Sequence, residues 1–391
     1  MTDLRAHWGL DPAVVFLNHG SFGACPKAVL AAQHRWRERM EAEPVTFFLR
    51  DLPELLEKAR GELAGFLGAM PEDLVFVSNA TAGVNTVLRS LDLVSGDELL
   101  VTDHAYGACR NAVEFAAGAA GARVVVACVP FPLAADEDVV EAVLAAVGDR
   151  TRLALLDHVT SPTGLVFPIA RLVRALADRG IDTLVDGAHA PGMVDVDLRA
   201  LGAAYYTGNC HKWLCAPKGA GFLVVRPDRQ ARVRPLVISH GASARRPDRS
   251  RYLLEFDWTG TDDPTPYLCV PEAIRYMASL LHGGWVAVRE CNHALALEAR
   301  SILVHALGAE APCPASMIGS LVSIPIGDGT GEQLRWGLDL DSAQDALLAR
   351  FGIEVPIVPW PAPPRRLVRA SAQLYNARAD YERLAHALVS L

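Results

Sequence analysis

Between residues 74 and 226 the chain alternates short β-rich runs with amphipathic helical stretches, and that alternation restricts the fold more than any other feature. The runs cover 74–77, 98–102, 123–129, 152–157, 182–186, 203–207 and 221–225, with helical patterns over 83–93, 136–147 and 169–179 between them. Such a pattern predicts an α/β sheet with helices on its faces, in which ligands bind beyond the carboxyl ends of the strands. A Pro- and Arg-rich region at 240–267 interrupts the alternation and leads into a long helical segment at 271–307. Strand-like stretches at 319–325 and 367–371, two helical patterns and a Pro-rich loop at 356–364 then predict a smaller α+β unit. The expected division is an N-terminal segment (1–20) that joins one of the lobes, a large domain (21–265) and a small C-terminal domain (266–391).

With 391 residues, 51% of them hydrophobic, the chain has ample material for a large core. A formal charge of -8 argues against a nucleic-acid or anionic-membrane partner, and the Arg245-Arg246 pair reads as a solvated loop. No basic-then-apolar leader and no apolar run near the roughly 18–20 residues of a bilayer span are seen, so a cytoplasmic location is expected. The eight cysteines form no C-x-x-C pair and suggest neither a disulfide framework nor a metal site.

The basic residues sharpen the reading, because 33 are Arg and four are Lys: Lys27, Lys58, Lys212 and Lys218. Arginine replaces lysine as a surface charge but cannot act as an amine nucleophile or form a Schiff base. Lys212 stands in Asn209-Cys210-His211-Lys212-Trp213, 26 residues after the acid that ends the strand Leu184-Val185-Asp186. Pyridoxal 5'-phosphate (PLP) needs a lysine for its aldehyde and a carboxylate against its pyridine nitrogen, and Lys212 and Asp186 meet both demands in order. Either residue alone reads equally as a surface charge or a helix cap. Upstream, Ser78-Asn79-Ala80-Thr81-Ala82-Gly83 ends a strand and opens a helix whose free amides suit a phosphate dianion, although the stretch is also an ordinary cap. Ser161-Pro162-Thr163-Gly164 reads as a turn facing the same crevice, with a cis peptide before Pro162 as one form it can take.

These motifs together resemble the class V aminotransferases of PLP fold type I, a family that includes cysteine desulfurases and isopenicillin N epimerase. Phe16-Leu17-Asn18-His19-Gly20-Ser21-Phe22-Gly23, Asp103-His104-Ala105-Tyr106-Gly107, Gly208 to Trp213 with Ala216-Pro217-Lys218-Gly219, and Leu367-Val368-Arg369 with Tyr375-Asn376 are most similar to the isopenicillin N epimerase-like branch. The resemblance implies a large domain with a mainly parallel seven-stranded sheet, a smaller α+β C-terminal domain and a homodimer.

Carried over by position, it implies Lys212 as the Schiff-base lysine, Asp186 as the pyridinium partner and His189 near the ring hydroxyl. His104 matches the ring-stacking residue, and Tyr106 lies near enough in sequence to face the substrate. Thr81, Ala82, Asn209 and His211 match phosphate-binding positions, Thr261 the contact arriving from the second subunit, and Arg369 the arginine that pairs with a substrate α-carboxylate. Asn18, His19 and Arg50 are weaker candidates at the substrate entrance.

The desulfurases place a nucleophilic cysteine shortly before that arginine, whereas this chain has no cysteine after Cys313. The resemblance therefore favours α-carbon epimerisation, with β-elimination by a carbon–sulfur lyase or transamination as alternatives. A non-catalytic binding protein on the same fold would have shed Lys212 or Asp186, and both are present. A nucleotide-binding α/β enzyme lacks support, since no G-x-x-x-x-G-K-[S/T] loop occurs.

Overall fold

A computed structural model describes residues 4–329 and 340–391. Seven strands form its main sheet: β1 (Leu74–Val77), β2 (Glu98–Thr102), β3 (Arg123–Ala127), β4 (Thr151–Asp157), β5 (Asp182–Gly187), β6 (Tyr205–Asn209) and β7 (Gly221–Val225). Their order is β1-β7-β6-β5-β4-β2-β3. All neighbours pair in parallel except β7, which runs antiparallel to both β6 and β1. Continuous runs such as Leu-Val-Phe-Val in β1 are buried throughout, as expected of strands covered by helices on both faces. The helix Ile169–Ala177 shows the complementary pattern, burying Ile169, Leu172, Val173 and Leu176 at helical spacing. Each such side chain contributes about 1.5–3 kcal/mol when removed from water.

A second sheet of three antiparallel strands has the order β9-β10-β8: β8 is Leu321–Ile326, β9 Ile357–Pro359 and β10 Arg366–Ser371. The short strand Val15–Phe16 pairs in parallel with Ile353–Glu354, and Ser371 N donates to Leu17 O at 2.9 Å. The opening segment is thereby tied to the smaller sheet.

Several local expectations change. The segment expected as one helix is two, Val270–Ser279 and Gly284–Leu307, because Gly283 and Gly284 take positive φ (103° and 63°) between them. The Pro-rich loop supplies strand β9, and its cis bonds precede Pro361 and Pro364; Pro162 is not preceded by a cis bond. The strand expected at 203–207 runs Tyr205–Asn209, which carries Asn209 to the strand end. Helices Lys27–Ala42 and Leu52–Leu67, which the alternation pattern does not cover, pack beside helix Val270–Ser279.

The helix Ala80–Arg89, which follows β1, presses closely on the sheet at Gly83. A Cβ there would lie 2.0 Å from Thr207 Oγ1 and 2.7 Å from Thr207 Cβ. Thr207 cannot swing away freely, since its hydroxyl donates to Phe222 O at 2.8 Å. Gly83→Ala should therefore lower stability by about 1–3 kcal/mol through overpacking, outweighing alanine's better helix propensity. Urea denaturation should show this as a lower midpoint, and an unchanged midpoint would mean that the helix stands off the sheet.

Candidate active site

The carboxyl edge of the sheet gathers the chemistry. At the end of β5, Asp186 is 3% exposed; its Oδ1 accepts from Ala188 N at 2.9 Å and its Oδ2 from the Cys109 thiol at 3.2 Å. Asp157 at the end of β4 is its register partner and is also buried. Burial, reinforced by the Asp186 charge, pushes the Asp157 carboxyl well above its usual range and so favours its neutral form. The same two influences raise the Cys109 thiol well above its ordinary value.

Lys212 follows β6, with Nζ 3.1 Å from His189 Nε2. Burial lowers its ammonium to about 8, repulsion from Arg369 adds to the effect, and attraction to Asp186 opposes it. The other lysine nearby, Lys218, is engaged elsewhere and donates to the backbone carbonyl of Gly23. Behind Lys212, its carbonyl accepts from Cys215 N at 3.0 Å and lies 3.1 Å from His19 Nε2. Since a carbonyl only accepts, His19 carries its hydrogen on Nε2, leaving Nδ1 to the Tyr375 hydroxyl at 2.8 Å. Burial drops His19 to about 3, so it serves as a fixed neutral brace rather than a charge at the substrate entrance.

The N-terminus of helix Ala80–Arg89 is held open from both sides. Asn79 caps it by accepting from Ala82 N at 2.8 Å, and Asn209 Oδ1 accepts from Ala80 N at 2.8 Å. Between them, the Thr81 amide and hydroxyl have no hydrogen-bond partner among the described residues. His211 differs from expectation: its Nδ1 lies 2.8 Å from Ala220 O, so that nitrogen bears the hydrogen and Nε2 a lone pair. With burial lowering this ring to about 4, His211 could donate to a phosphate only if the anion drew a second proton onto it.

Arg369 projects from β10 and is 5% exposed. One nitrogen donates to Ser161 O at 2.5 Å and lies 3.2 Å from Ser161 Oγ, the other donates to Ser21 Oγ at 2.7 Å, and buried Nε has no partner. No carboxylate lies within 4.0 Å of it among the described residues, and burial pulls the guanidinium down to about 10. Tyr106, at the start of helix Gly107–Ala120, is 42% exposed. Burial of its inner part raises the phenol, Cys109 and Asp186 add to the rise, and Arg369 counters it.

Other expected residues fall elsewhere. His104 is fully enclosed, with Nδ1 2.7 Å from Thr163 Oγ1, Nε2 3.0 Å from Val129 O and its ring centroid 4.4 Å from that of Trp360. No face remains open for a cofactor ring, and Tyr106 is the aromatic of that segment that faces open space. Asn18 turns toward the short strand Ile353–Glu354 and donates to Glu354 Oε1 at 3.2 Å. Arg50 is exposed on the π-helical segment Phe47–Asp51. Thr261 is exposed too, beside Trp258, Thr259 and Gly260, which line a cavity of about 230 Å³ with Ser78 and Ala82. The residues missed were Cys109, Asp157, Trp213 and the serine brace Ser21, while Ser161 lies in the turn expected to face this crevice and holds Arg369 there. Asp157 had a visible signal of its own, an acid ending a strand just as Asp186 does.

Comparison with known proteins decides the family, since the profile of aminotransferase class V matches residues 16–384. The chain belongs to the class-V aminotransferases. It is 41% identical to an isopenicillin N epimerase of Amycolatopsis lactamdurans, covering 99% of this chain and 97% of that protein. Its identity to the isopenicillin N epimerase of Streptomyces clavuligerus is 35%, over 100% and 98%. A probable chloroplastic L-cysteine desulfhydrase of Arabidopsis thaliana is 31% identical, over 97% and 83%. In fold the chain is similar to a solved C-DES variant with glycine covalently linked to its PLP cofactor (TM-score 0.81, 21% identity, 99% of each chain).

PLP is the cofactor of this class-V chain, and the residues present fit it. The capped helix end leaves the Thr81 amide and hydroxyl open to a phosphate, Asp186 supplies a fixed carboxylate, and Lys212 supplies an amine whose neutral form is within reach. Only the neutral amine attacks an aldehyde, so the rate at which cofactor-free protein takes up PLP should rise with pH and level off above a midpoint near 8. Stopped-flow absorbance would follow the uptake. A rate still climbing steadily past pH 10 would mean that the lysine is not buried as described.

Proposed function

We propose that this enzyme inverts the α-carbon of an amino acid or amino-acid-bearing compound, as an isopenicillin N epimerase-like isomerase. The observation that carries the reading is the uncompensated, buried guanidinium of Arg369, whose charge acts on both Lys212 and Tyr106. A substrate carboxylate there would satisfy the open Nε and neutralise a charge that now lacks a carboxylate partner. It would also anchor the α-carbon between two groups able to carry a proton. Full-length likeness to two isopenicillin N epimerases supports inversion over other outcomes.

PLP, when bound, supplies a protonated ring that draws electron density from the α-carbon and makes its proton removable. In the proposed arrangement Asp186, braced by Ala188 N and the Cys109 thiol, would hold the ring nitrogen's positive charge. Thr81 and Asn209 would hold the phosphate, with Ala82 beside them and its amide already bonded to Asn79; His189 would lie by the ring hydroxyl and Tyr106 would cover the ring face in place of His104. Lys212 Nζ takes the α-proton from one face, and Tyr106 Oη delivers a proton to the other. His19 braces the Lys212 carbonyl, while Asn18 and Arg50 lie outside this central group.

A second reading is β-elimination, favoured by likeness to a protein named as a probable L-cysteine desulfhydrase. Tyr106 would then protonate the departing sulfur. We also propose a homodimer in which Thr261 reaches the partner's site. The exposed run Leu236, Val237 and Ile238 supports an apolar contact with a second copy. No helix among the described residues is long and apolar enough to cross a membrane.

The deciding experiment incubates the enzyme with a panel of amino acids and with isopenicillin N in deuterated water, followed by mass and chiral analysis. Inversion with deuterium at the α-carbon is expected, whereas pyruvate or sulfide release would establish the lyase. Tyr106→Phe should keep α-proton exchange through Lys212 and lose inversion by tenfold or more, on the order of a general-acid contribution. Wild-type inversion in that variant would reduce Tyr106 to packing.

A further inference from the structure

Trp213, the residue after the lysine, is 1% exposed, and its indole Nε1 lies 3.3 Å from His189 Nδ1. An indole nitrogen can only donate, so His189 Nδ1 must be the lone-pair nitrogen. A neutral imidazole has one hydrogen, which then sits on Nε2, the atom 3.1 Å from Lys212 Nζ. Two hydrogens cannot share that contact, and the amine must meet Nε2–H with its own lone pair.

We propose that Trp213 is a positioning residue, which fixes His189 as the Nε2–H tautomer and thereby selects the neutral, nucleophilic form of Lys212. The surroundings agree. Burial, then the charges of Lys212 and Arg369, hold His189 well below its ordinary range, and His19 contributes in the same sense. Facing Lys212 besides His189 are Arg369, which disfavours its ammonium, Asp186, which favours it, and Cys109 and Asp157, both held toward their neutral forms by burial. Without the indole donor, His189 could move its hydrogen to Nδ1 and offer Nε2 as an acceptor. That arrangement would welcome a protonated lysine. The Trp213 ring lies 4.8 Å from the His19 ring, and the Trp213 backbone passes so close to Gly192 that a Cβ there would lie 2.6 Å from the Trp213 carbonyl oxygen.

The inference rests on Lys212 as the cofactor's lysine, and two measurements on the full-length, cofactor-free chain test it. The first is 15N NMR with selectively labelled histidine at pH 9, with His189 assigned through His189→Gln. A pyrrole-type Nε2 and a pyridine-type Nδ1 are expected, and the reverse pattern would overturn the proposal whatever the role of Lys212. The second is the pH profile of PLP uptake in Trp213→Phe, which keeps an aromatic ring and removes the N–H. Its midpoint should move upward by on the order of one pH unit, the scale of one hydrogen bond to a charged group. An unchanged midpoint in a variant with wild-type circular dichroism would overturn the assignment. Should that variant fail to fold, the tautomer measured in the wild-type chain decides.

Discussion

Bringing one lysine amine within reach of its neutral form inside a folded chain is the constraint on which the rest of this site depends. Burial does most of it and Arg369 helps, while Asp186 pulls the other way. The balance is delicate because the same pocket holds both the Asp186 carboxylate and the Arg369 guanidinium. The protein separates the two in the fold. Asp186 is fixed at the end of a strand by a backbone amide and a thiol, and Arg369 arrives from the other sheet, held by two serines. Lys212 lies within reach of both charges.

Arg369 is one of the connections between the sheets, beside the bond from Ser323 Oγ to Pro162 O. Its contacts to Ser161, on the loop after β4, and to Ser21, in the opening segment, join three stretches distant in sequence. The pairing of Val15–Phe16 with Ile353–Glu354 and the bond from Ser371 N to Leu17 O strengthen the same junction. Binding a carboxylate at Arg369 therefore has a route to the relative placement of these segments, because the guanidinium is their shared partner.

Much of the fold was legible because buried parallel strands are nearly continuous apolar runs, and all seven runs appear as strands close to their expected bounds. The misplacement at 203–207 came from Ala203 and Ala204, which read as strand but precede it. The break at Gly283 and Gly284 was hidden in a segment whose apolar spacing continues across it. In the site, Lys212 and Asp186 stood out because their types are scarce or strand-terminal. His104 misled because sequence gives a residue's neighbourhood and not its facing: two residues apart, it points into Thr163, Val129 and Trp360 while Tyr106 faces outward. The Cys109 contact with Asp186 and the Trp213 contact with His189 join residues 77 and 24 positions apart, and no local pattern encodes either.

The central claim is that Lys212, rather than its neighbour Lys218, carries the cofactor. Borohydride reduction of the purified holoenzyme followed by peptide mapping tests it directly, since reduction makes the lysine linkage permanent. The account predicts a single phosphopyridoxyl group on the peptide containing Lys212, with Lys218 unlabelled because its amine is occupied by the Gly23 carbonyl. Label on Lys218, or on neither lysine of a yellow protein, would contradict it.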